Sequence, residues 1–109
     1  MTVIEVTDAD FEAQVLQAEL PVLVDYWAEW CSPCKQLGPI VEELARAYAG
    51  RMVFAKMDTN TNTEVPMRQG VMGLPTLQFF RAGRVVQSLQ GGKTKASLMK
   101  VIDRVLEAG

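Results

Sequence analysis

The sequence predicts an α/β protein in which helices cover a sheet that begins parallel and ends in a hairpin. Short strand-like and helix-like segments alternate along most of the 109 residues, which is typical of parallel strands joined by helices. Residues 22–27 are apolar except for Asp25, as expected for a central strand covered on both faces. The length fits one domain, 1–109, with one core.

The predicted elements follow in the order β-α-β-α-β-α-β-β-α. Residues 3–6 form the first strand, and Thr7, with Asp10 three residues later, is a candidate N-cap for the first helix. The central strand 22–27 is followed by a helix with an apolar stripe that ends near Gly50. The remaining elements are strands at 53–57, 76–80 and 84–89, a short helix at 64–69, an Ala82-Gly83 hairpin turn, and a last helix capped by Thr94.

Composition excludes several function classes. The 11 basic and 13 acidic residues give a net charge of -2, so the basic footprint of a nucleic-acid binder is missing. The apolar stretches are too short to cross a bilayer, and the N-terminal segment lacks the basic region of a secretory signal. We therefore expect no membrane association and a cytoplasmic location.

The chain has no histidine and two cysteines. The missing imidazole excludes Ser/His and Cys/His nucleophile pairs. Two cysteines are too few for a structural zinc site within one chain, and we expect neither a metal nor a cofactor. The pair is therefore either chemically active or incidental.

Cys31 and Cys34 lie where the central strand ends and a helix begins, the edge at which open α/β sheets carry their sites. Free N–H groups and the helix dipole favour a thiolate at Cys31. Cys34 follows one turn later on the same side, and Pro33 is tolerated in a first turn. With Cys31 in the cap, outside helical geometry, the two sulfurs can approach each other. The alternative is two buried, inert cysteines.

Asp25 and Lys56 are single charges inside apolar strands. Desolvation would raise the pKa of Asp25, which makes it a candidate proton acceptor for Cys34 in a chain without histidine. Lys56 is positioned to pair with this carboxylate and moderate the shift. The alternative is that both side chains reach the rim of the sheet and are solvated.

Several separated motifs, in the right order, resemble the thioredoxin family over essentially the whole chain. They are Asp25-Tyr26-Trp27-Ala28-Glu29, Trp30-Cys31-Ser32-Pro33-Cys34-Lys35, Pro39, Lys56, Gly73-Leu74-Pro75-Thr76 and Gly91. The resemblance implies the thioredoxin fold, a central mixed five-stranded sheet flanked by four helices. It implies a general protein disulfide reductant with Cys31 as nucleophile, Cys34 as resolving thiol and a buried aspartate, Asp25. Trp30, Ser32, Pro33 and Lys35 would tune the pair.

The implied partners are disulfide-containing client proteins and a separate thioredoxin reductase, since the chain has no dinucleotide motif of its own. We expect a monomer. The resemblance also implies a cis peptide bond at Pro75, with the Leu74 backbone pairing to an extended substrate; local sequence alone fits a strand-opening proline equally well. The expected apolar docking surface around Cys31 consists of Trp30, Met72, Gly73, Leu74, Gly91 and Gly92.

Four positions depart from the common family pattern. Ser32 replaces a glycine, Met72 a basic residue, Asn60 an aspartate and Thr63 a proline. The Ser32 hydroxyl is placed to donate to the Cys31 sulfur, and its effect on redox potential has no obvious sign. These changes leave two alternatives open, a binding or holdase subunit and a more oxidising disulfide isomerase. Pro33, where oxidising relatives carry histidine, favours the reductant.

Overall fold

The computed structural model describes residues 2–108 and confirms the predicted fold class. Its five strands are β1 (Ile4–Glu5), β2 (Val22–Trp27), β3 (Val53–Asp58), β4 (Thr76–Arg81) and β5 (Arg84–Gln90). They form one sheet in the order β1-β3-β2-β4-β5. The first three strands are parallel, whereas β4 runs antiparallel to β2 and β5. The sheet is therefore mixed, with β2 at its centre.

Three α-helices and one π-helical segment cover the sheet: α1 (Ser32–Ala47), α2 (Glu64–Arg68), α3 (Lys95–Glu107) and the segment Glu12–Leu16. Thr94 caps α3 as predicted, with its hydroxyl accepting from the Ser97 N–H at 3.1 Å. No helix within residues 2–108 is long and apolar enough to cross a membrane.

The first helical segment differs from the prediction in its geometry. The Thr7 N–H donates to Asp10 Oδ1 at 2.7 Å and the Asp10 N–H donates to Thr7 Oγ1 at 3.3 Å. These bonds form a local turn, but Thr7 is not the N-cap as predicted, because the helical segment begins at Glu12 with Phe11 as its N-cap and no side-chain cap. The chain then winds more widely than an α-helix, with the Gln17 N–H donating to the Glu12 carbonyl at 2.9 Å. Wide turns of this kind are short and rare, and the periodicity of a sequence does not distinguish them from an α-helix.

Alternate residues of a strand point to opposite faces of the sheet, so they contribute to two apolar cores, one on each face. Leu23 of β2 lies in the core beneath α1 and α3, whereas Val22 and Val24 lie in the core on the other face. Asp25 follows the alternation of Leu23. Its carboxyl group therefore enters the sheet face that α1 covers.

The β4–β5 hairpin turns through Ala82 and Gly83, as predicted. Both residues have positive φ angles, 52° and 78°, the combination that a two-residue hairpin turn of the preferred hand requires. A Cβ atom on Gly83 would lie 3.0 Å from the Leu16 carbonyl oxygen. The turn therefore packs against the π-helical segment at a point where only glycine fits without a shift.

Candidate active site

Cys31 and Cys34 are joined by a disulfide at the start of α1, with their Cα atoms 5.3 Å apart. Cys31 is the N-cap residue, with extended backbone angles (φ -93°, ψ 107°), so it lies outside helical geometry. The Cys34 N–H donates to the Cys31 Sγ at 3.3 Å. Pro33 occupies the first turn, where its missing N–H removes no helical bond. The cap position is therefore what brings the two sulfurs together.

Both cysteines are 4% exposed, in a small apolar cluster with Ala28 that Trp27 and Leu74 flank. Ser32 and Lys35 are exposed. Within residues 2–108 the Ser32 hydroxyl makes no hydrogen bond to the Cys31 sulfur, whose partner is the Cys34 N–H. The disulfide is thus shielded from most of the solvent while the residues next to it are open.

The expected docking surface contains two exposed apolar side chains. Trp30, beside Cys31, is 71% exposed, and Met72 is 88% exposed. The Trp30 indole N–H donates to Asn60 Oδ1 at 3.3 Å and this bond orients the ring. The asparagine thus accepts the bond at a position where an aspartate is common in the family. Solvated apolar side chains of this size favour a transient contact surface.

The Leu74–Pro75 peptide bond is cis. The Pro75 carbonyl accepts from the Gly91 N–H at 2.9 Å, and the Thr76 hydroxyl donates to the Gly73 carbonyl at 2.5 Å. Gly91, with a φ of 84°, and Gly92 are exposed. The hydrogen bond between Pro75 and Gly91 thus joins two segments of the expected docking surface that are distant in sequence.

Asp25 is buried on the α1 side of β2, 4% exposed. Burial raises the pKa of its carboxyl group to about 7, against an opposing effect of the Lys56 charge. Its Oδ1 atom is buried and has no hydrogen-bond partner within residues 2–108. A carboxyl group of this kind exchanges its proton near neutral pH, as a catalytic base requires.

The direct pairing of Asp25 with Lys56 is not formed. The two residues are register partners on β2 and β3, yet no ion pair joins them in the described part of the chain. The Lys56 Nζ instead lies over the Trp27 ring, 5.9 Å from its centroid. The lysine therefore acts on Asp25 only through its field, which is why the upward pKa shift persists.

A cleft of about 550 Å³ opens beside Asp25 and Lys56. Its α1 wall includes Gly38, Glu42 and Arg46, which sequence reasoning missed. Their spacing of four residues puts them on one helix face, and this was the available signal. The cleft connects a buried carboxyl group with solvent, so Asp25 is neither solvated at the rim of the sheet nor sealed.

A disulfide at a helix N-terminus, with an exposed apolar rim and a buried carboxyl group nearby, defines a site for thiol–disulfide exchange. Comparison with known proteins identifies the family. The thioredoxin family model matches residues 2–104. The chain is 45% identical over 101 residues to a thioredoxin of Pseudomonas aeruginosa, covering 93% of this chain and 94% of that protein.

Two further relatives agree. A thioredoxin of Allochromatium vinosum is 43% identical over 102 residues, covering 94% of this chain and 95% of that protein. A bifunctional thioredoxin reductase/thioredoxin of Mycobacterium leprae is 43% identical over 103 residues, covering 94% of this chain and 22% of that protein. The chain belongs to the thioredoxin family, and it is a thiol–disulfide oxidoreductase that acts as a protein disulfide reductase.

Proposed function

We propose that the chain reduces accessible disulfides of client proteins, with Cys31 attacking, Cys34 resolving and Asp25 moving the proton. The observation that carries this proposal is the position of Cys31 as the N-cap residue of α1. A sulfur in that position is stabilised as a thiolate by the helix dipole and by the Cys34 N–H.

The reaction runs in two exchanges. The Cys31 thiolate attacks one sulfur of the client disulfide, the client S–S bond breaks, and the other client sulfur leaves as a thiolate. Cys34 then gives its proton to the Asp25 carboxylate and attacks the Cys31 sulfur of the mixed disulfide. The second client thiolate leaves, and the two electrons that reduced the client are lost by the Cys31/Cys34 pair.

Asp25 is suited to the second exchange. A carboxyl group with a pKa of about 7 is partly ionised at neutral pH and can accept a proton from Cys34. The adjoining cleft, with Lys56 on its wall, lets that proton pass to solvent. Lys56 assists through its charge, which keeps a fraction of Asp25 ionised.

The client binds next to Cys31. Trp30 and Met72 supply apolar contact area, and the Leu74 backbone pairs with an extended client segment beside Pro75. Gly73, Gly91 and Gly92 leave room for the client main chain. Met72, where a basic residue is common in the family, makes this surface less selective for acidic groups next to the client cysteine.

A separate thioredoxin reductase returns electrons to the oxidised pair. The relative from Mycobacterium leprae is named as both proteins in one chain, which supports a partnership of this kind. The chain then serves electron transport and redox homeostasis in the cytoplasm, where thiols are kept reduced. It acts as a single-domain monomer.

The redox potential tests the reductant proposal. The Cys31/Cys34 couple is equilibrated with glutathione buffers, and the oxidised fraction is read by alkylation and mass spectrometry. We expect a potential more reducing than the cytosolic glutathione poise. A more oxidising value contradicts the proposal and favours the isomerase alternative, in which Ser32 and not Pro33 sets the potential. A Ser32→Gly variant measures that contribution.

Trapping tests the separate roles. Cys34→Ser should accumulate a mixed disulfide with a client peptide, whereas Cys31→Ser should accumulate none. Asp25→Ala should slow resolution of the mixed disulfide and leave the first attack nearly unchanged, with Glu19→Ala, an exposed carboxyl, as the control. Equal resolution rates in wild type and Asp25→Ala would remove Asp25 from the mechanism.

A further inference from the structure

Three neighbouring clefts, which share lining residues, lead away from the redox motif. The first, of about 260 Å³, is lined by Pro33 and Gln36 together with Lys93 and Thr94. Lys93 and Thr94 also line the next cleft, of about 480 Å³, between β5 and α3. That cleft meets a third, of about 520 Å³, at Val101 and Arg104. We call the second and third clefts together the β5–α3 groove.

The floor of the β5–α3 groove is apolar and its charges are all of one sign. Val86, Leu89 and Val105 are among the apolar lining residues. Its charged lining residues are Arg81, Lys93, Lys100 and Arg104. Among the described residues, no acidic one lines either cleft, although the whole chain carries a net charge of -2.

The sequence explains this local excess. Residues 65–102 contain no aspartate or glutamate, and their charged residues are Arg68, Arg81, Arg84, Lys93, Lys95 and Lys100. The strand order puts β4 and β5 on one side of β2, away from β1 and β3. Asp103 of α3 accepts from the Tyr48 hydroxyl at 2.8 Å and faces α1 instead of the groove. Of these cations, Lys95 forms an ion pair with Glu43 of α1 at 2.7 Å, and it does not line the groove.

The strand beside the groove is also free to pair. β5 is the last strand of the described sheet, and every residue in it except Leu89 is exposed. Val86 has no register partner on β4, because a bulge interrupts the ladder between Phe79 and Phe80. An edge strand of this kind presents unpaired N–H and C=O groups to an extended polypeptide.

We propose that the β5–α3 groove binds an acidic, extended segment of the client protein that lies several residues from the client disulfide. This inference rests on the proposed reductant function and adds a substrate preference to it. Client carboxylates would lie near Lys100 and Arg104, and client aliphatic side chains would lie on the apolar floor. The shared residues Lys93 and Thr94 link this contact with the cleft at Pro33, which lies between the two cysteines in sequence. The edge strand favours a polypeptide over a nucleic acid.

Matched peptides test the preference. Every peptide carries one disulfide loop, and one peptide has no tail. The others carry an eight-residue tail before or after the loop, in which valine alternates with glutamate, with glutamine or with lysine. Pre-reduced protein is mixed with each peptide, and the second-order rate of peptide reduction is measured at low and high salt. We expect the glutamate tail, on at least one side, to react about fivefold faster than the glutamine tail at low salt, as two exposed ion pairs allow. High salt should remove most of this difference.

Paired variants separate the groove from overall charge. Lys100→Gln with Arg104→Gln should bring the glutamate-to-glutamine ratio to about one. Arg68→Gln with Arg84→Gln removes the same charge from residues that do not line the groove, and should leave the ratio intact. Circular dichroism melts check that both double variants fold. The tail-free peptide should react equally with all three proteins.

Results other than these contradict either the groove proposal or the proposed reductant function. A glutamate-to-glutamine rate ratio of one in the wild type, or an equal fall of this ratio in both double variants, refutes the groove proposal. Reduction of the tail-free peptide in the same experiment still supports the reductant function. When that ratio is one and both tails still react faster than the tail-free peptide, the acidic preference is refuted and apolar contacts alone account for the tail effect. Displacement of the tail by a single-stranded oligonucleotide at the same salt assigns the groove to nucleic acid. Failure to reduce the tail-free peptide refutes the proposed function itself.

Discussion

The buried carboxyl group of Asp25 should make the protein less stable as the pH rises. A carboxyl group whose pKa is raised in the folded state binds its proton more tightly there than in the unfolded chain. The resulting stabilisation is present in full at low pH, below the unfolded pKa near 4, and is lost as the pH rises towards 7. Asp25→Asn removes the ionisation while keeping the size of the side chain.

The magnitude follows from the pKa change. Burial raises the pKa of Asp25 from 3.8 to about 7, and each pKa unit corresponds to about 1.36 kcal/mol. Ionised Asp25 therefore costs the folded state about 4 kcal/mol at pH 8.5. The amide that Asp25→Asn introduces has its own hydrogen-bonding cost, but that cost does not change with pH. The difference between two pH values therefore isolates the ionisation.

Urea unfolding of the oxidised protein measures this effect, because a disulfide leaves no thiol to titrate. Relative to wild type, Asp25→Asn should have a free energy of unfolding that is about 4 kcal/mol larger at pH 8.5 than at pH 4, meaning that the variant gains relative stability as the pH rises. Glu19→Gln, which removes an exposed carboxyl, should show almost no such difference. An Asp25→Asn effect of the same size at both pH values would refute the assignment of a strongly raised pKa.

Three further substitutions test the fold around the site. Asp8 accepts from the N–H groups of Thr63, Glu64 and Val65 at 3.1, 3.1 and 2.8 Å. Asp8→Ala should therefore lower the free energy of unfolding by about 1 to 2 kcal/mol in urea titrations at pH 7. An unchanged midpoint would contradict this long-range cap. Gly38→Ala should change the free energy of unfolding by less than about 1 kcal/mol, because the gain of alanine over glycine in a helix is opposed by the restriction that Pro39 places on the residue before it. Apart from its chain neighbours and the helix backbone, a Cβ atom there meets nothing within 4 Å, so a larger loss would contradict an open cleft wall. Ala82 holds a φ of 52° in the hairpin turn, so Ala82→Asn should raise the thermal midpoint of unfolding by a few degrees. Ala82→Val is the matched control and should lower it.

Local signals were sufficient for the redox motif. The strand 22–27 and the following helix are strongly patterned, and a cysteine at their junction takes the N-cap position because Pro33 suits a first turn. The hairpin turn at Ala82-Gly83 could be predicted equally well, since the residues in the turn determine its geometry. Interactions within a few residues decide such features, so a single sequence carries them.

Other features needed segments that are distant in sequence. Asp8 caps α2 from 55 to 57 residues away, and it uses the N–H of Thr63, a donor that the proline common in the family would lack. The Lys56 charge moderates the pKa shift of Asp25 as predicted, but no direct ion pair forms in the described residues, because adjacent strands fix the backbones as neighbours and leave the ammonium group to lie over Trp27. Spacing along one chain segment contains no such information.

By itself, then, the sequence determined the order of strands and helices, the cysteine pair at a helix N-terminus and the absence of any imidazole base. Only the tertiary structure decided that the Leu74–Pro75 bond is cis, that the cleft beside Asp25 opens to solvent, and that four cations line the groove between β5 and α3. The physical reason is range. Helix caps, turns and hydrophobic periods are local free energies, whereas burial, clefts and electrostatic fields depend on which distant segments the folded chain brings together.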